Sequence, residues 1–357
     1  MTIETIISNI LTTTQDPLTA LTPVELGLKS NYSQTPDSIS LNLLAGFPCK
    51  SLETTLLPKL LEAFKHALPQ CQIKITLESF IQAHRTQIPG KGLRGVKNII
   101  AIGSGKGGVG KSTVTVHLAA CLADQGARVG ILDADIYGPS IPLMLGKTSP
   151  VEIQDEHYLP VTTHGIQAMS IGYLTETEEA LIWRGPMLAK ALIQMLDLTN
   201  WDNLDYLFID LPPGTGDIQL SLVQKIPLTG AVIVTTPQTI ATQDAQKALK
   251  MFNKTGIDVL GIIENMSQHI CTQCGHKEAL FGQGGAQTIC DSHQTTLLGQ
   301  LPLNAQIVTR CDQGDLNSLN TQNQTDRAFL KAALATSIEL SKRPLNYATK
   351  FPPIMIE

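Results

Sequence analysis

The segment "GKGGVGKST", residues Gly105–Thr113, combines glycines, two lysines and two hydroxyl groups at a spacing suited to binding phosphates. Its glycines allow backbone N–H groups to turn toward phosphate oxygens, and a helix beginning near Lys111 adds a positive end. We expect the Lys111 ammonium to reach the β- and γ-phosphates, Ser112 to ligate Mg²⁺ and Thr113 to contact the α-phosphate. The segment therefore predicts a nucleoside triphosphate site, and the alternative is a turn that only connects a strand to a helix.

Carboxylates end two further apolar runs. Asp210 closes "YLFID", which is the position where a carboxylate holds Mg²⁺ through its water shell. Asp133 and Asp135 close "ILDAD", and either of them could orient an attacking water; we favour Asp135. The alternative for this pair is that both aspartates only cap a turn. Together with the phosphate loop, these carboxylates predict nucleotide hydrolysis.

Lys106 lies five residues before Lys111, so the two lysines cannot serve the same oxygen within one loop. A lysine at the front of the loop points outward, toward a nucleotide bound by a facing subunit. A basic residue supplied in this way is worth about 10³–10⁵ in rate where an arginine does it. Lys106 therefore predicts a face-to-face homodimer, and a solvated surface lysine is the alternative.

Two of the seven cysteines, Cys271 and Cys274, form a C-x₂-C pair just after a predicted strand. One such pair is half of a four-thiolate site, and a two-fold dimer would bring the same loop to itself and complete a [4Fe–4S] cluster. Cys290 is a candidate third ligand but falls in a predicted helix. Zinc, with His269 and His276 as further ligands, a redox dithiol and two structural cysteines are the alternatives.

The other cysteines carry weaker expectations. An odd number of cysteines in a long chain does not indicate a disulfide framework. Cys49 follows a proline at a predicted helix start, and we favour a simply packed thiol there. The alternative is that the helix lowers its thiol pKa and lets it accept iron in transit. Cys121 reads as a small core residue on a helix, and Cys311 as structural.

Short apolar runs separated by helical stretches position these residues. Continuously apolar strands of this kind are buried on both faces of a parallel sheet, and ligands bind at their carboxyl ends. A helix, "DRAFLKAALATSIELSK", closes this α/β doubly wound, mostly parallel domain, which we place at residues 98–357. The six predicted strands are "NIIAIGSG", "ARVGILDAD", "DYLFIDLPPG", "AVIVTTP", "VLGIIENMS" and "TLLGQLPLN".

Residues 1–84 predict a small α+β domain, and residues 85–97, rich in Gly, Pro and basic side chains, predict a linker. Within the small domain, "IETIISNIL" has helical spacing and "SISLNLLAGFP" alternates like a strand. An amphipathic helix, "SLETTLLPKLLEAFKHAL", would take Ser51 as its N-cap, and "QIKITLESF" is a second strand.

The overall charge argues against some classes of partner. The formal net charge is −5 with 16% charged residues, so no basic excess indicates nucleic-acid binding. The first residues do not resemble a secretory signal, and no apolar run reaches the roughly 20 residues that span a bilayer. We therefore expect a cytoplasmic protein without a membrane or nucleic-acid partner.

The string "KGGVGKS" resembles the deviant Walker A motif of the MinD/ParA class of P-loop ATPases. Within that class, "LDADIYGPSIPLMLG", "WRGPM", "FIDLPPGTGD", "ENMS", "CTQCG" and "FGQGG" resemble the Mrp/ApbC-type iron–sulfur cluster carrier ATPases over about residues 95–345. The first 84 residues resemble the MIP18-like domain, through "DPLTALTPVELGL" and "GFPCKSLE".

The resemblance implies roles for particular residues. Lys106 would be the family's additional lysine, Asp135 would lie in switch I and Asp210 in switch II, and Asn265 would read the adenine edge with its amide. Cys271 and Cys274 would hold the cluster. The ATP-binding residues it implies are Gly105, Lys106, Gly107, Gly108, Val109, Gly110, Lys111, Ser112, Thr113 and Asn265.

By this resemblance the chain is an ATP-hydrolysing carrier that accepts a [4Fe–4S] cluster from a scaffold protein and delivers it to apo-proteins as a homodimer. A spatial-organising ATPase like MinD or ParA, with a structural zinc at the cysteine pair, is the alternative. Its membrane-binding version would end in a basic amphipathic helix, whereas this chain ends "RPLNYATKFPPIMIE". An electron-passing ATPase is a third interpretation, which the clustering of both cysteines in one motif disfavours.

Overall fold

A computed structural model describes residues 2–174, 185–271, 273–316 and 323–346. This part of the chain divides into two compact units, and the division falls after Gln82. Ser337–Arg343, at the end of the last helix, groups with the first unit. The predicted boundaries at residues 84 and 98 stay predictions.

The first unit is a three-stranded sheet with two helices, and both predicted helices and both predicted strands are present. Strand β1 pairs antiparallel with β2, and β2 pairs parallel with β3. Strand β1 was not predicted, because its "KSNYSQ" is polar and exposed along its whole length. The elements are α1 (Ile3–Thr13), β1 (Lys29–Gln34), β2 (Ser38–Ala45), α2 (Lys50–Ala67) and β3 (Gln72–Ser79).

Ser51 is not the N-cap of α2, so that prediction is wrong. The cap is Cys49, without a side-chain capping bond. The Leu52 N–H donates to the Cys49 carbonyl at 2.9 Å, so the first turn closes before the serine can act as its cap. The helix instead buries one stripe at four-residue spacing, formed by Leu52, Leu56, Leu60 and Phe64.

The second unit is built on an eight-stranded sheet in the order β15-β12-β11-β4-β10-β5-β9-β8, parallel except for the pairing of β8 with β9. Two small antiparallel pairs, β6-β7 and β13-β14, stand outside it. The strands are β4 (Val96–Ser104), β5 (Val129–Asp133), β6 (Glu152–Gln154), β7 (His157–Leu159), β8 (Val161–Thr163), β9 (Ile166–Ser170), β10 (Leu204–Asp210), β11 (Gly230–Thr235), β12 (Val259–Glu264), β13 (His269–Ile270), β14 (Lys277–Glu278) and β15 (Leu297–Gln300).

All six predicted strands of this unit and its closing helix are present, so the doubly wound α/β fold is confirmed. Strands β5, β10 and β11 are buried at every residue, as expected when helices cover both faces. The helices are α3 (Lys111–Asp124), α4 (Ile141–Met144), α5 (Gly185–Leu198), α6 (Asp217–Lys225), α7 (Thr239–Lys254), α8 (Gly285–His293), α9 (Ala305–Gln313) and α10 (Gln324–Ser341), with a 3₁₀ turn at Ile171–Tyr173.

The predicted linker is ordered on the second unit. The Arg85 N–H donates to the Pro344 carbonyl, and the Gln87 N–H donates to Leu228. The Gln87 amide also donates to the carbonyls of Val223 and Ile226 at the end of α6, at 3.0 and 2.6 Å. Among the described helices, none has the length and apolar character needed to cross a membrane.

Candidate functional site

The phosphate loop runs from the end of β4 to the start of α3, in the strand–loop–helix setting that the sequence predicts. Gly110 is the N-cap of α3 with φ 79°, a conformation that glycine adopts readily. A Cβ atom on Gly110 would lie 2.3 Å from Nδ2 of Asn265, and one on Gly105 would lie 2.1 Å from the carbonyl carbon of Asp244. Both positions therefore require glycine.

The loop borders an open cavity of about 210 Å³. Residues from Lys106 to Thr113 line it, together with Asp135, Ser140 and Pro213 from the ends of other strands. The backbone of Gly107 and Gly108 is not covered by other protein atoms: a Cβ added to Gly108 would have no neighbour within 4 Å, and one added to Gly107 would only touch the Pro213 side chain. Backbone N–H groups in such a loop at a helix N-terminus suit phosphate oxygens, so the cavity fits the phosphates of a nucleotide.

Asp210, at the end of β10, is fully buried and binds three groups of α3. Its carboxylate lies 2.8 Å from the Lys111 ammonium, accepts the Ser112 hydroxyl at 2.6 Å and accepts the Thr115 hydroxyl at 2.8 Å. The pairing of a carboxylate with a loop hydroxyl fits Mg²⁺, a cation that prefers oxygen ligands. The sequence analysis did not predict a role for Thr115. The available signal was its position four residues after Lys111, which places both residues on the same face of α3.

Asp133 and Asp135 have different environments. Asp133 is fully buried and accepts the N–H groups of Asp135 and Ile141 and the Ser170 hydroxyl, at 3.1, 3.3 and 3.1 Å. Burial, and then the charge of Asp210, raise the pKa of Asp133 to about 7. Asp135 borders the cavity, and burial also raises its pKa. Asp133 thus braces the segment that presents Asp135, which is the aspartate we favoured for orienting water.

Ser170 was missed because β9, the strand that it ends, was not predicted. The run "IQAMS" is short and contains a polar glutamine. Strand β9 pairs parallel with β5 and brings Ser170 opposite Asp133. The signal available in the sequence was a serine closing an apolar run, the same arrangement that marks the other strand ends in this domain.

Lys106 borders the same cavity and is partly exposed. Its carbonyl accepts the Ser104 hydroxyl at 3.0 Å, which fixes the backbone at the front of the loop. No ion pair of its ammonium exists within the ranges that the structure describes. The position is compatible with a lysine that reaches beyond its own subunit, and that role stays a prediction.

Asn265 follows β12 and is 6% exposed. Its Nδ2 donates to the Val109 carbonyl of the phosphate loop at 2.9 Å. The preceding residue, Glu264, is also buried and accepts the Ala286 N–H and the Gln300 amide, each at 2.8 Å. Glu264 was not predicted, although a glutamate closing an apolar strand was a visible signal. The adenine contact of Asn265 stays a prediction.

Cys271 and Cys274 lie on the connection between β13 and β14. The Cys271 N–H donates to the His276 carbonyl, and the Gly275 N–H donates to the Cys271 carbonyl, both at 2.9 Å. Cys271 is partly exposed and Cys274 is exposed. The N–H groups of Cys274 and then Gln273 lower the pKa of the Cys271 thiol, which favours the thiolate that binds metal.

The two thiols stand without further ligands in the described chain. No group of three or more His, Cys, Asp or Glu side chains in the described ranges is arranged to hold a metal ion. His269 and His276, the predicted additional zinc ligands, flank the pair without completing such a group. The arrangement matches half of a four-ligand site.

The remaining cysteines that carried expectations are buried free thiols. Cys49 is packed, as the sequence favours, and its thiol pKa is not lowered by the helix start: burial, and then Glu53, raise it to about 12. Burial also raises the pKa of Cys290 and of Cys311 to about 11. Cys121 is packed on α3 as predicted.

Three comparisons bear on this site. The ParA family model, described as NUBPL iron-transfer P-loop NTPase, matches residues 95–337. An iron-sulfur cluster carrier protein of Haemophilus influenzae is 55% identical over 251 residues, which are 70% of this chain and 68% of that protein. One from Synechocystis is 42% identical, with 93% of this chain and 95% of that protein covered.

A solved structure extends the likeness to the fold of the second unit. A nucleotide-binding protein of Archaeoglobus fulgidus in complex with ADP is 40% identical, with a TM-score of 0.57. The match covers 63% of this chain and 90% of that one. Two strings used for the family resemblance lie partly outside the described residues: "WRGPM" at Trp183 and Arg184, and "CTQCG" at Thr272. The end of the chain after residue 346, which was compared with a membrane-binding helix, lies outside them as well.

Proposed function

Because the chain belongs to the ParA family of NUBPL-type iron-transfer P-loop NTPases, we propose that it is an iron–sulfur cluster carrier that binds and hydrolyses ATP. Its cargo is a [4Fe–4S] cluster, which a homodimer holds between its subunits and delivers to apo-proteins. Scaffold proteins that supply the cluster and apo-proteins that receive it are its partners. The carrier works in the cytoplasm, without a membrane or nucleic-acid partner.

The observation that carries this proposal is the exposed cysteine pair on the connection from β13 to β14. Two thiols provide half the ligands of a [4Fe–4S] cluster, and a two-fold axis repeats the pair. The lowered pKa of Cys271 supplies a thiolate ready to bind iron. A cluster held by two ligands from each subunit at an exposed interface is accessible to an acceptor, which suits transfer better than storage.

The nucleotide half of the proposal uses the phosphate loop. Lys111 neutralises the β- and γ-phosphates, Thr113 contacts the α-phosphate and Asp135 orients the attacking water. Asp210 and Ser112 would hold Mg²⁺, which neutralises charge on the phosphates when bound. Lys106 reaches the phosphates of the facing subunit. Nδ2 of Asn265 donates one of its two N–H groups to Val109, so its second N–H and its carbonyl Oδ1 are the groups left for the adenine edge.

Transfer to an acceptor tests the proposal. The chain is loaded anaerobically with iron and sulfide, mixed with an apo-enzyme that needs a [4Fe–4S] cluster, and the recovery of acceptor activity is measured with an iron chelator present. We expect recovery with the wild type and with Cys290→Ser, whose thiol is buried on α8. Cys271→Ser should give none. Zinc binding without transfer would instead favour a structural metal.

A further inference from the structure

Two consecutive residues at the end of β12 bind the two functional segments of the second unit. Asn265 donates to the Val109 carbonyl in the phosphate loop at 2.9 Å. Glu264 accepts the Ala286 N–H, in the first turn of the helix that follows the cysteine hairpin, at 2.8 Å. All four residues are buried, between 0% and 6% exposed. One strand end therefore anchors both the phosphate loop and the segment downstream of the cysteines.

The bond from Asn265 fixes the orientation of one peptide group. In a planar trans peptide, the carbonyl of one residue and the N–H of the next point in opposite directions. Holding the Val109 carbonyl toward Asn265 therefore turns the Gly110 N–H the other way. The Asn265 backbone is itself fixed, because its N–H donates to the Thr235 carbonyl at 2.7 Å. A phosphate that takes the Gly110 N–H would strengthen the bond on the other side of the same peptide.

Between Asn265 and the cysteines, the chain is held by hydrogen bonds to the segment at residues 301–303. The N–H and the hydroxyl of Ser267 donate to the Leu301 carbonyl at 2.9 and 3.0 Å. The Leu303 N–H then donates to the Gln268 carbonyl at 2.8 Å. Strand β13 follows at once and leads into Cys271. Six residue steps span at most about 20 Å, so Cys271 lies no further than that from Asn265.

We propose that Asn265 is a positioning residue that orients the Val109–Gly110 peptide toward the phosphates and transmits nucleotide occupancy to the cysteine hairpin, residues 269–278. The effect of Asn265 on the hairpin would influence how the cluster is held, and this part of the proposal rests on the proposed function. Its effect on the phosphate loop does not depend on that function. The coupling is reciprocal: if bound nucleotide changes the affinity of the hairpin for its ligand by some factor, that ligand changes the affinity for nucleotide by the same factor. The hairpin would respond through residues 265–268, which follow β12, independently of the segment that follows Asp210.

Hydrogen exchange of the metal-free full-length chain tests this, with and without saturating Mg–ADP. In the wild type we expect nucleotide to slow exchange in the phosphate loop and, by at least about threefold, in residues 267–278. In Asn265→Ala and in Asn265→Asp, which keeps the shape but loses the donor, slowing should be confined to the phosphate loop. Asn253→Ala, at an exposed asparagine of α7, is the matched control and should behave as the wild type.

Ser267→Ala separates the two halves of the proposal. It leaves the bond from Asn265 to Val109 and removes one bond further along. We expect wild-type affinity for ADP and a reduced response of the hairpin. This variant also keeps the test decisive if the Asn265 variants do not fold.

A wild-type hairpin that is indifferent to nucleotide would overturn the proposal, and so would an Asn265→Ala hairpin that responds fully. Because no iron is present, the result is independent of the cargo. If the hairpin responds to nucleotide but the chain binds no cluster when it is separately reconstituted with iron and sulfide, the carrier function is refuted and the role of Asn265 stands.

Discussion

The Lys111 ammonium lies 2.8 Å from the Asp210 carboxylate, and the two side chains are 6% and 0% exposed. Hydroxyls of Ser112 and Thr115 bind the same carboxylate. In a buried pair each charge depends on the other, because neither is solvated by water. The lysine of the phosphate loop is therefore held in place by the carboxylate that we propose holds Mg²⁺.

Replacing Lys111 with alanine should lower ATP turnover by at least about 100-fold, because the β- and γ-phosphates lose their main cation. It should also lower the free energy of unfolding by about 3 kcal/mol, since the buried Asp210 loses its partner. Steady-state turnover and denaturant unfolding measure the two effects. The control is Lys147→Ala, at an exposed lysine, which should change neither. Wild-type turnover in Lys111→Ala would refute the assignment of this lysine.

Lys106→Ala should bind ATP but not hydrolyse it, because this lysine is proposed to act across the dimer. Mixing it with Lys111→Ala gives a sharper test. In the mixed dimer, the site on the Lys106→Ala subunit has its own Lys111 and receives Lys106 from the partner. Random pairing makes half of the dimers mixed, each with one working site, so about a quarter of wild-type activity should return.

The result of mixing decides between the two placements of Lys106. If the lysine acts within its own subunit, no site in any mixed dimer is complete. Activity would then stay at the level of the separate variants, which would also remove this argument for a face-to-face dimer.

The thiols should differ in their response to pH. Because N–H groups lower the pKa of Cys271, its thiolate persists to lower pH, and it should be alkylated there faster than an ordinary thiol. Cys49, with its pKa raised to about 12, and Cys290 and Cys311, raised to about 11, should stay unmodified in the folded chain. Pulsed alkylation between pH 6 and 9, read by peptide mass spectrometry, measures this. The denatured chain is the control, and a Cys271 profile identical in both states would contradict the role of the hairpin N–H groups.

Much of the second unit could be predicted because its strands are continuously apolar and its motifs follow their ends. The six strands that it predicts are neighbours in the sheet, and the phosphate loop follows from the same pattern. Two other strands could not be predicted in this way. Strand β1 of the first unit is polar and exposed at every residue, so its pairing leaves no periodic signal, and β9 of the second unit is short and contains a polar glutamine. Both are held by backbone bonds to a neighbouring strand, which a local pattern does not show.

The site was predictable in its residue types and less so in their contacts. Spacing indicates that Lys111 and Asp210 serve one nucleotide. It does not indicate that Asn265 binds the loop backbone, because that contact joins residues 156 positions apart. Cys49 shows how packing decides between two interpretations that the sequence allows. A helix start can lower a thiol pKa, but here burial dominates, and burial depends on packing that the sequence does not specify.

The most direct test of the proposed carrier is the iron and sulfide content of anaerobically reconstituted chain, measured with its native mass. We predict about two iron and two sulfide per chain, a dimer mass and absorbance near 400 nm, because two chains share one [4Fe–4S] cluster. Cys271→Ser and Cys274→Ser should each lose the iron, the sulfide and the absorbance, since the two-fold symmetry removes two of the four cluster ligands. Four irons in a monomer, or one zinc per dimer without visible absorbance, would contradict the bridging cluster.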